Sequence, residues 1–353
     1  MDPASDIAAA FGYLQFSVID ALRRMQGDAL AAAGYGPIES SHQIIGASSF
    51  WRLRDYCSSD EGRPVLIVPA PIKRPYIWDL APRISAIRFC LGSGLRVFML
   101  EWLPASGATC NVGIAEYVAA IAHSLEVIEN RSNHEKPVLM GHSLGGTLAA
   151  IAGAVVPDSA ASLVLLASPL CFQPDGSAFR DALVSLVPGP VSDTKPYPGS
   201  MLSQVSAMAA PETFIWSRLA DAVLSAADDG AMDVHARIER WALDEVALPG
   251  RLVSEIVDGL YRDNRFCRGT LRLGERVIGA ADLASPILAV VNTADRVAPL
   301  HSLSPAVEAL GSDQFRIVEY PGETGVCLQH LGVLIGRQAR AGIWPEIIEW
   351  IKK

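Results

Sequence analysis

Ser143 stands in the run Gly141-His142-Ser143-Leu144-Gly145-Gly146, a G-x-S-x-G pattern. A serine hydroxyl is a weak nucleophile and becomes useful only beside a base that an acid orients. The chemistry such a group supports is acyl transfer through a serine ester. The residues before it, KPVLMG (136–141), read as a strand, and those after it, GTLAAIAGAVV, read as a helix. That strand–turn–helix context presents a nucleophile on a sharp turn. A side chain two residues before or after the serine would clash there, which accounts for Gly141 and Gly145. The helix N-terminus and the backbone N–H of Leu144 face any oxyanion built on Ser143.

The base and the acid must come from later in the chain, in the order Ser, acid, His. Asp295 follows the apolar run PILAVVNTA directly, and His330 lies ten residues beyond FRIVEY in the loop PGETGVCLQH. The other histidines fit less well. His301 is six residues from Asp295 at the start of the next helix, and His142 adjoins the serine with its side chain expected to point away. His42, His123, His134 and His235 lie in segments that do not reach strand ends. A second oxyanion donor is expected from PAPIKRPY (69–76), through the backbone N–H of Ile72. The other reading of that stretch is a plain proline-rich turn, since no HGGG-type signature is present.

These groups need a scaffold. The chain has 353 residues, half of them hydrophobic and 19% charged, enough for a large core in one or two domains. Short Val-, Leu- and Ile-rich runs at 64–69, 95–101, 136–141, 162–167, 286–292 and 315–320 read as buried strands. Residues 112–130, 145–156, 302–310 and 344–352 read as helices between them. The alternation predicts a mostly parallel sheet with helices on both faces. Residues 49–56 alternate like a strand, and the turn at SSDEG predicts a hairpin with 64–69. The expected organisation is an N-terminal helical segment over 1–48, a core over 49–169 and 281–353, and a helical cap or lid insertion over 170–280. In 5–34 the stripe Phe11, Leu14, Val18, Leu22 and Met25 predicts a helix packed on the body; a partner-binding or membrane-surface helix is the alternative.

The net charge of −9 argues against nucleic acid, whose phosphates require clustered Lys and Arg. The six cysteines form no CxxC pair and have no His-rich neighbour. They read as reduced thiols, with no metal site and no cofactor expected. No basic leader opens the sequence and no run reaches 18 apolar residues, so a cytoplasmic protein without a transmembrane segment is expected.

The motifs resemble those of the polyhydroxyalkanoate synthases, from about residue 60 onward. The resemblance rests on PAPIKRPYIWDLAP (69–82), the double-glycine elbow with LVLLASPLCF (163–172), WALDEVALPGRLVSEIVDGLYRDNRF (241–266), and ADRVAP (294–299) with HLGVLIGRQARAGIWPEIIEWI (330–351). It implies an α/β-hydrolase fold, with the family's catalytic Asp and His at Asp295 and His330. The family carries cysteine where this chain has Ser143, His where it has Arg296, and often a large aromatic where it has Leu300. The resemblance implies a serine acyltransferase taking an acyl group, of the 3-hydroxyacyl kind, from a CoA or phosphopantetheine carrier thioester. It also implies a homodimer or a second subunit. A hydrolase (thioesterase, carboxylesterase or intracellular polyester depolymerase) and a non-catalytic granule-associated protein are the alternatives. His142, Trp241, Asp244, Arg265 and Arg296 are candidate substrate contacts. For Trp241 and Asp244 the alternative is a structural role in the lid. For Arg262, Arg265 and Arg268, and for Lys73 and Arg74, it is a solvated basic face.

Overall fold

The computed structural model describes residues 3–311 and 313–353, with side chains from Leu14 onward. Eight strands form the main sheet: β1 (Gln43–Ala47), β2 (Trp51–Asp55), β3 (Pro64–Val68), β4 (Arg96–Trp102), β5 (Val138–His142), β6 (Leu163–Leu166), β7 (Ile287–Asn292) and β8 (Phe315–Tyr320). Their spatial order is β1-β2-β4-β3-β5-β6-β7-β8. From β4 to β8 every pairing is parallel, whereas β2 runs antiparallel to both β1 and β4. The central strands are buried on both faces, as their unbroken apolar runs require.

Two local expectations change. β2 and β3 are not a hairpin: β4 lies between them, with Leu53 opposite Leu100 on one side and Leu66 opposite Phe98 on the other. β1 also belongs to the sheet, so the core begins before residue 49. It is mostly exposed and its apolar run is only Ile44–Ala47, interrupted by Gly46, which is why its sequence does not announce it.

The helices used below are α1 (Pro3–Leu30), α2 (Ala86–Gly92), α3 (Ile114–Arg131), α4 (Leu144–Val155), α5 (Ala178–Leu186), α6 (Gly199–Ala209), α7 (Ser217–Ser225), α8 (Asp229–Ala242), α9 (Ser304–Leu310) and α10 (Trp344–Lys352); shorter helical pieces lie at Gly250–Ser254, Glu255–Arg262 and Gly332–Ile335. One core cluster joins α3 and α4 to one sheet face, through Tyr117, Ile121, Leu125, Leu148 and Ile151. A second cluster joins α2 and α10 to the other face. Helices α5 to α8 fall between β6 and β7 and cover the carboxyl ends of the strands. Among the described residues no helix is long and apolar enough to cross a membrane.

Helix α1 packs on α6 and α8, with the opposite face from the one expected. Leu14, Val18, Leu22 and Met25 are 52–67% exposed. Phe11 lies outside the described side chains. The buried face carries Asp20, whose carboxylate accepts the Ser200 N–H at 2.8 Å, and Arg23, which donates to Glu245 at 2.9 Å. Asp20 thus caps the first turn of α6 from another helix.

The cysteine expectation also needs correction. Cys171 and Cys267 are joined by a disulfide across 96 residues of chain, and the other four are free. The two meet where the insertion leaves and rejoins the core; beside them the Phe172 N–H donates to Asn264 Oδ1 at 2.7 Å. Their separation along the chain hides the pairing from any reading of spacing.

Candidate active site

The turn between β5 and α4 holds Ser143 at φ 55°, a left-handed conformation unusual for a residue with a side chain. The conformation survives because the glycines around it admit close packing. A Cβ on Gly141 would stand 2.5 Å from Gly146 Cα, and one on Gly145 would overlap the carbonyl oxygen of Val68. The strained turn projects Ser143 Oγ beyond the strand end, while the N–H of Leu144 opens α4.

Ser143 Oγ lies 2.7 Å from His330 Nε2, and His330 Nδ1 lies 2.6 Å from Asp295 Oδ2. Asp295 follows β7 and is fully buried at its side chain; His330 sits in the loop after β8. Burial pushes the Asp295 carboxyl up. The His330 ring and the backbone N–H groups of Val297 and Ala298 more than offset this and hold it below its usual range. An ionised Asp295 accepts from Nδ1–H, which leaves the Nε2 lone pair facing the serine hydroxyl.

A model of the alpha/beta hydrolase fold matches residues 89–330. The chain belongs to that family. It is also similar to the poly(3-hydroxyalkanoate) polymerase subunit PhaC of Haloarcula marismortui, at 27% identity over 82% of this chain and 61% of the relative. Against the PhaC subunit of Haloferax mediterranei the identity is 25%, over 88% of this chain and 64% of the relative. The chain thus spans under two thirds of the length of both. Among solved structures, a thermophilic esterase from Thermogutta terrifontis aligns at a TM-score of 0.52 and 16% identity, over 89% of this chain and 100% of that one. This likeness is one of fold.

The serine faces a cavity beneath the inserted helices. It has a volume of about 670 Å³ and is walled mainly by apolar side chains, among them Leu183, Met201, Leu202, Phe214, Val257 and Tyr261. Ile72, Leu144, His142 and Trp241 line it as well, whereas Asp244, Arg265 and Arg296 do not. Asp244 binds Arg240 at 2.7 Å and Tyr76 at 3.2 Å. Arg265 pairs with Asp263, and Arg296 with Glu212, at the surface. Each of the three is paired with an oppositely charged neighbour and stands outside the cavity lining. Arg262 likewise ties Asp258 to the carbonyls of Val187 and Gly189.

Trp241 donates from Nε1 to the Arg74 carbonyl at 2.8 Å and so holds the loop that carries Ile72 against α8. Lys73 reinforces that contact through Glu245 at 2.9 Å and the Ala242 carbonyl at 2.6 Å. Burial lowers the Lys73 pKa, with Glu245 opposing. His142 is buried with its Nε2 2.8 Å from the His330 carbonyl oxygen. Since a carbonyl only accepts, Nε2 carries the proton, and His142 clamps the backbone of the base. Burial, then repulsion from His330, lowers its pKa to about 3.

Sequence reasoning missed the share of α1 in this cavity. Ile19 and Arg23 reach the lining from the N-terminal segment. Both lie off the apolar stripe, and so off the only periodic signal the segment offers.

Proposed function

We propose that the protein is a serine acyltransferase related to polyhydroxyalkanoate synthases, with Ser143, His330 and Asp295 as its catalytic groups. One observation carries this reading: the unbroken hydrogen-bond chain from Asp295 through His330 to Ser143 at the floor of an apolar cavity. Ser143 Oγ attacks the carbonyl carbon of a thioester as His330 Nε2 takes the hydroxyl proton. The backbone N–H groups of Leu144 and Ile72 hold the oxyanion. Collapse expels the thiol, which receives the proton from His330, and leaves an acyl ester on Ser143. An acceptor hydroxyl, amine or thiol then attacks that ester while His330 again takes the proton, and collapse breaks the bond to Ser143 Oγ, which receives that proton back from His330.

The poly(3-hydroxyalkanoate) polymerase relatives support a 3-hydroxyacyl group, which the donor would carry as a thioester of CoA or a carrier protein. The apolar walls suit the acyl chain, and α5–α8 act as a lid that keeps water from the acyl-enzyme. The hydrolase reading rests on Ser143 itself, because an oxyester passes less readily to a thiol or hydroxyl than a thioester does. In that reading water is the acceptor and the rest of the cycle is unchanged.

Intact-protein mass spectrometry with 3-hydroxybutyryl-CoA, read beside free-CoA release, separates the two. A persistent adduct on wild type and none on Ser143→Ala is the expected result. Fast release of CoA and free acid without an adduct means a hydrolase. His330→Gln should slow labelling of Ser143 by a fluorophosphonate by about 10²–10⁴-fold; undiminished labelling would remove His330 from its role.

A further inference from the structure

A second cluster of reactive side chains lies away from the serine, where the inserted helices meet the loop that ends in His330. His235 and Glu239 stand one turn apart on α8, and Cys327 comes from that loop, three residues before His330. His235 Nε2 is 3.8 Å from Glu239 Oε1, and Cys327 Sγ is 3.4 Å from the same oxygen. One donor atom from each residue lies within 4.8 Å of the other two. His235 and Cys327 are buried.

The surroundings are arranged as they are around metal-binding imidazoles. Asp221 Oδ2 lies 3.1 Å from His235 Nδ1, which fixes the proton there and leaves the Nε2 lone pair aimed into the cluster. The same carboxylate accepts the Cys327 N–H at 2.9 Å and the Gly325 N–H at 2.7 Å. Cys327 is held at φ 60°, a left-handed conformation that a side chain rarely adopts. Arg218 donates to both oxygens of Glu239.

We infer that His235 Nε2, Glu239 Oε1 and Cys327 Sγ form a binding site for a zinc-class divalent cation, with water as the fourth ligand. Imidazole nitrogen, carboxylate oxygen and thiolate sulfur are the donor set of Zn²⁺ rather than of Mg²⁺ or Ca²⁺. Bonds of about 2.0–2.3 Å put tetrahedral ligand atoms roughly 3.5 Å apart, so no pair in the cluster needs to close by more than about 1.3 Å. Binding forms the S–metal bond and releases the thiol proton to the buffer. Arg218 Nε gives up Oε1 to the metal, and its Nη2 keeps Oε2. The charges then balance: Asp221, Glu239 and the Cys327 thiolate against the dication and Arg218. Such a site would tie α8 to the loop of the catalytic histidine. Linear spacing conceals it, because Glu239 and Cys327 are 88 residues apart.

The test is a Co²⁺ titration of the chelator-treated full chain. The expected result is one equivalent bound, a thiolate-to-cobalt charge-transfer band, tetrahedral d–d bands, one proton released, and displacement of cobalt by Zn²⁺. Cys327→Ser should lose the charge-transfer band and the proton release, and His235→Gln should bind at least tenfold more weakly. Absence of the band in wild type overturns the site, as does its persistence in Cys327→Ser. If the serine variant fails to fold, Glu239→Gln and His235→Gln carry the same comparison.

Discussion

At the scale of single residues, the site depends on side chains that hold other side chains. His142 has no bond to the serine, yet its Nε2–H fixes the carbonyl of His330 at 2.8 Å. That imidazole must stay neutral in the fold, and burial lowers its pKa from 6.5 to about 3. The sign of the linkage follows. Between those values the unfolded chain binds the proton and the folded one does not, so acid favours unfolding. One such proton costs about 1.4 kcal/mol of stability per pH unit between roughly pH 6 and pH 3. His142→Gln keeps an amide donor near the same carbonyl and removes the titration. Urea unfolding at a series of pH values should show wild type losing stability faster than the variant as pH falls from 6.5 to 4. Parallel curves would mean that His142 charges freely in the folded protein.

At the scale of elements, the outcome for α1 shows how a legible pattern can mislead. Its apolar stripe satisfies the rule for a packed helix, but the face carrying Phe16, Ile19, Asp20 and Arg23 is the one that packs. Asp20 caps α6, and Arg23 reaches Glu245 within the cavity wall. Asp20→Ala leaves the Ser200 N–H without its acceptor and should cost about 1–2 kcal/mol in urea unfolding. Leu22→Glu, at a position 55% exposed, should change stability by no more than about 0.5 kcal/mol. The reverse ranking would restore the stripe as the packing face. The buried strands and the elbow were readable because both are governed by local rules: unbroken apolar runs, and a turn too tight for side chains at Gly141 and Gly145. Asp295 and His330 were readable because each lies in the loop that follows a recognisable strand. The exposed strand β1, the insertion of β4 between β2 and β3, and the pairing of α1 with α6 depend on contacts remote in sequence. No local rule reports them. The ion pairs of Asp244, Arg265 and Arg296 are of the same kind, since a charge run does not show which charges are already neutralised.

At the scale of the whole molecule, the insertion is closed at its root. Cys171 and Cys267 join its start to the end of its helical part, so nearly a hundred residues, including most of the cavity wall, form a covalent loop on the core. Cross-linking a loop of this length removes conformational entropy from the unfolded chain, worth up to about 5 kcal/mol in the chain-entropy model and typically 2–4. The bond also bears on where the chain works, because disulfides are rare in reducing cytosol and persist in oxidising compartments. Thiol titration of the denatured protein without reductant should find four of the six cysteines reactive. Cys171→Ser with Cys267→Ser should lower stability by about 2–4 kcal/mol. A reductant should then weaken wild type and leave the double variant unchanged. Limited proteolysis adds position to the measurement: without the staple, cleavage should begin in the proline-rich stretch 187–199 while the central strands stay protected. Six reactive thiols, or a double variant as stable as wild type, would mean that Asn264 and the packing around Phe172 hold the insertion in place without the bond.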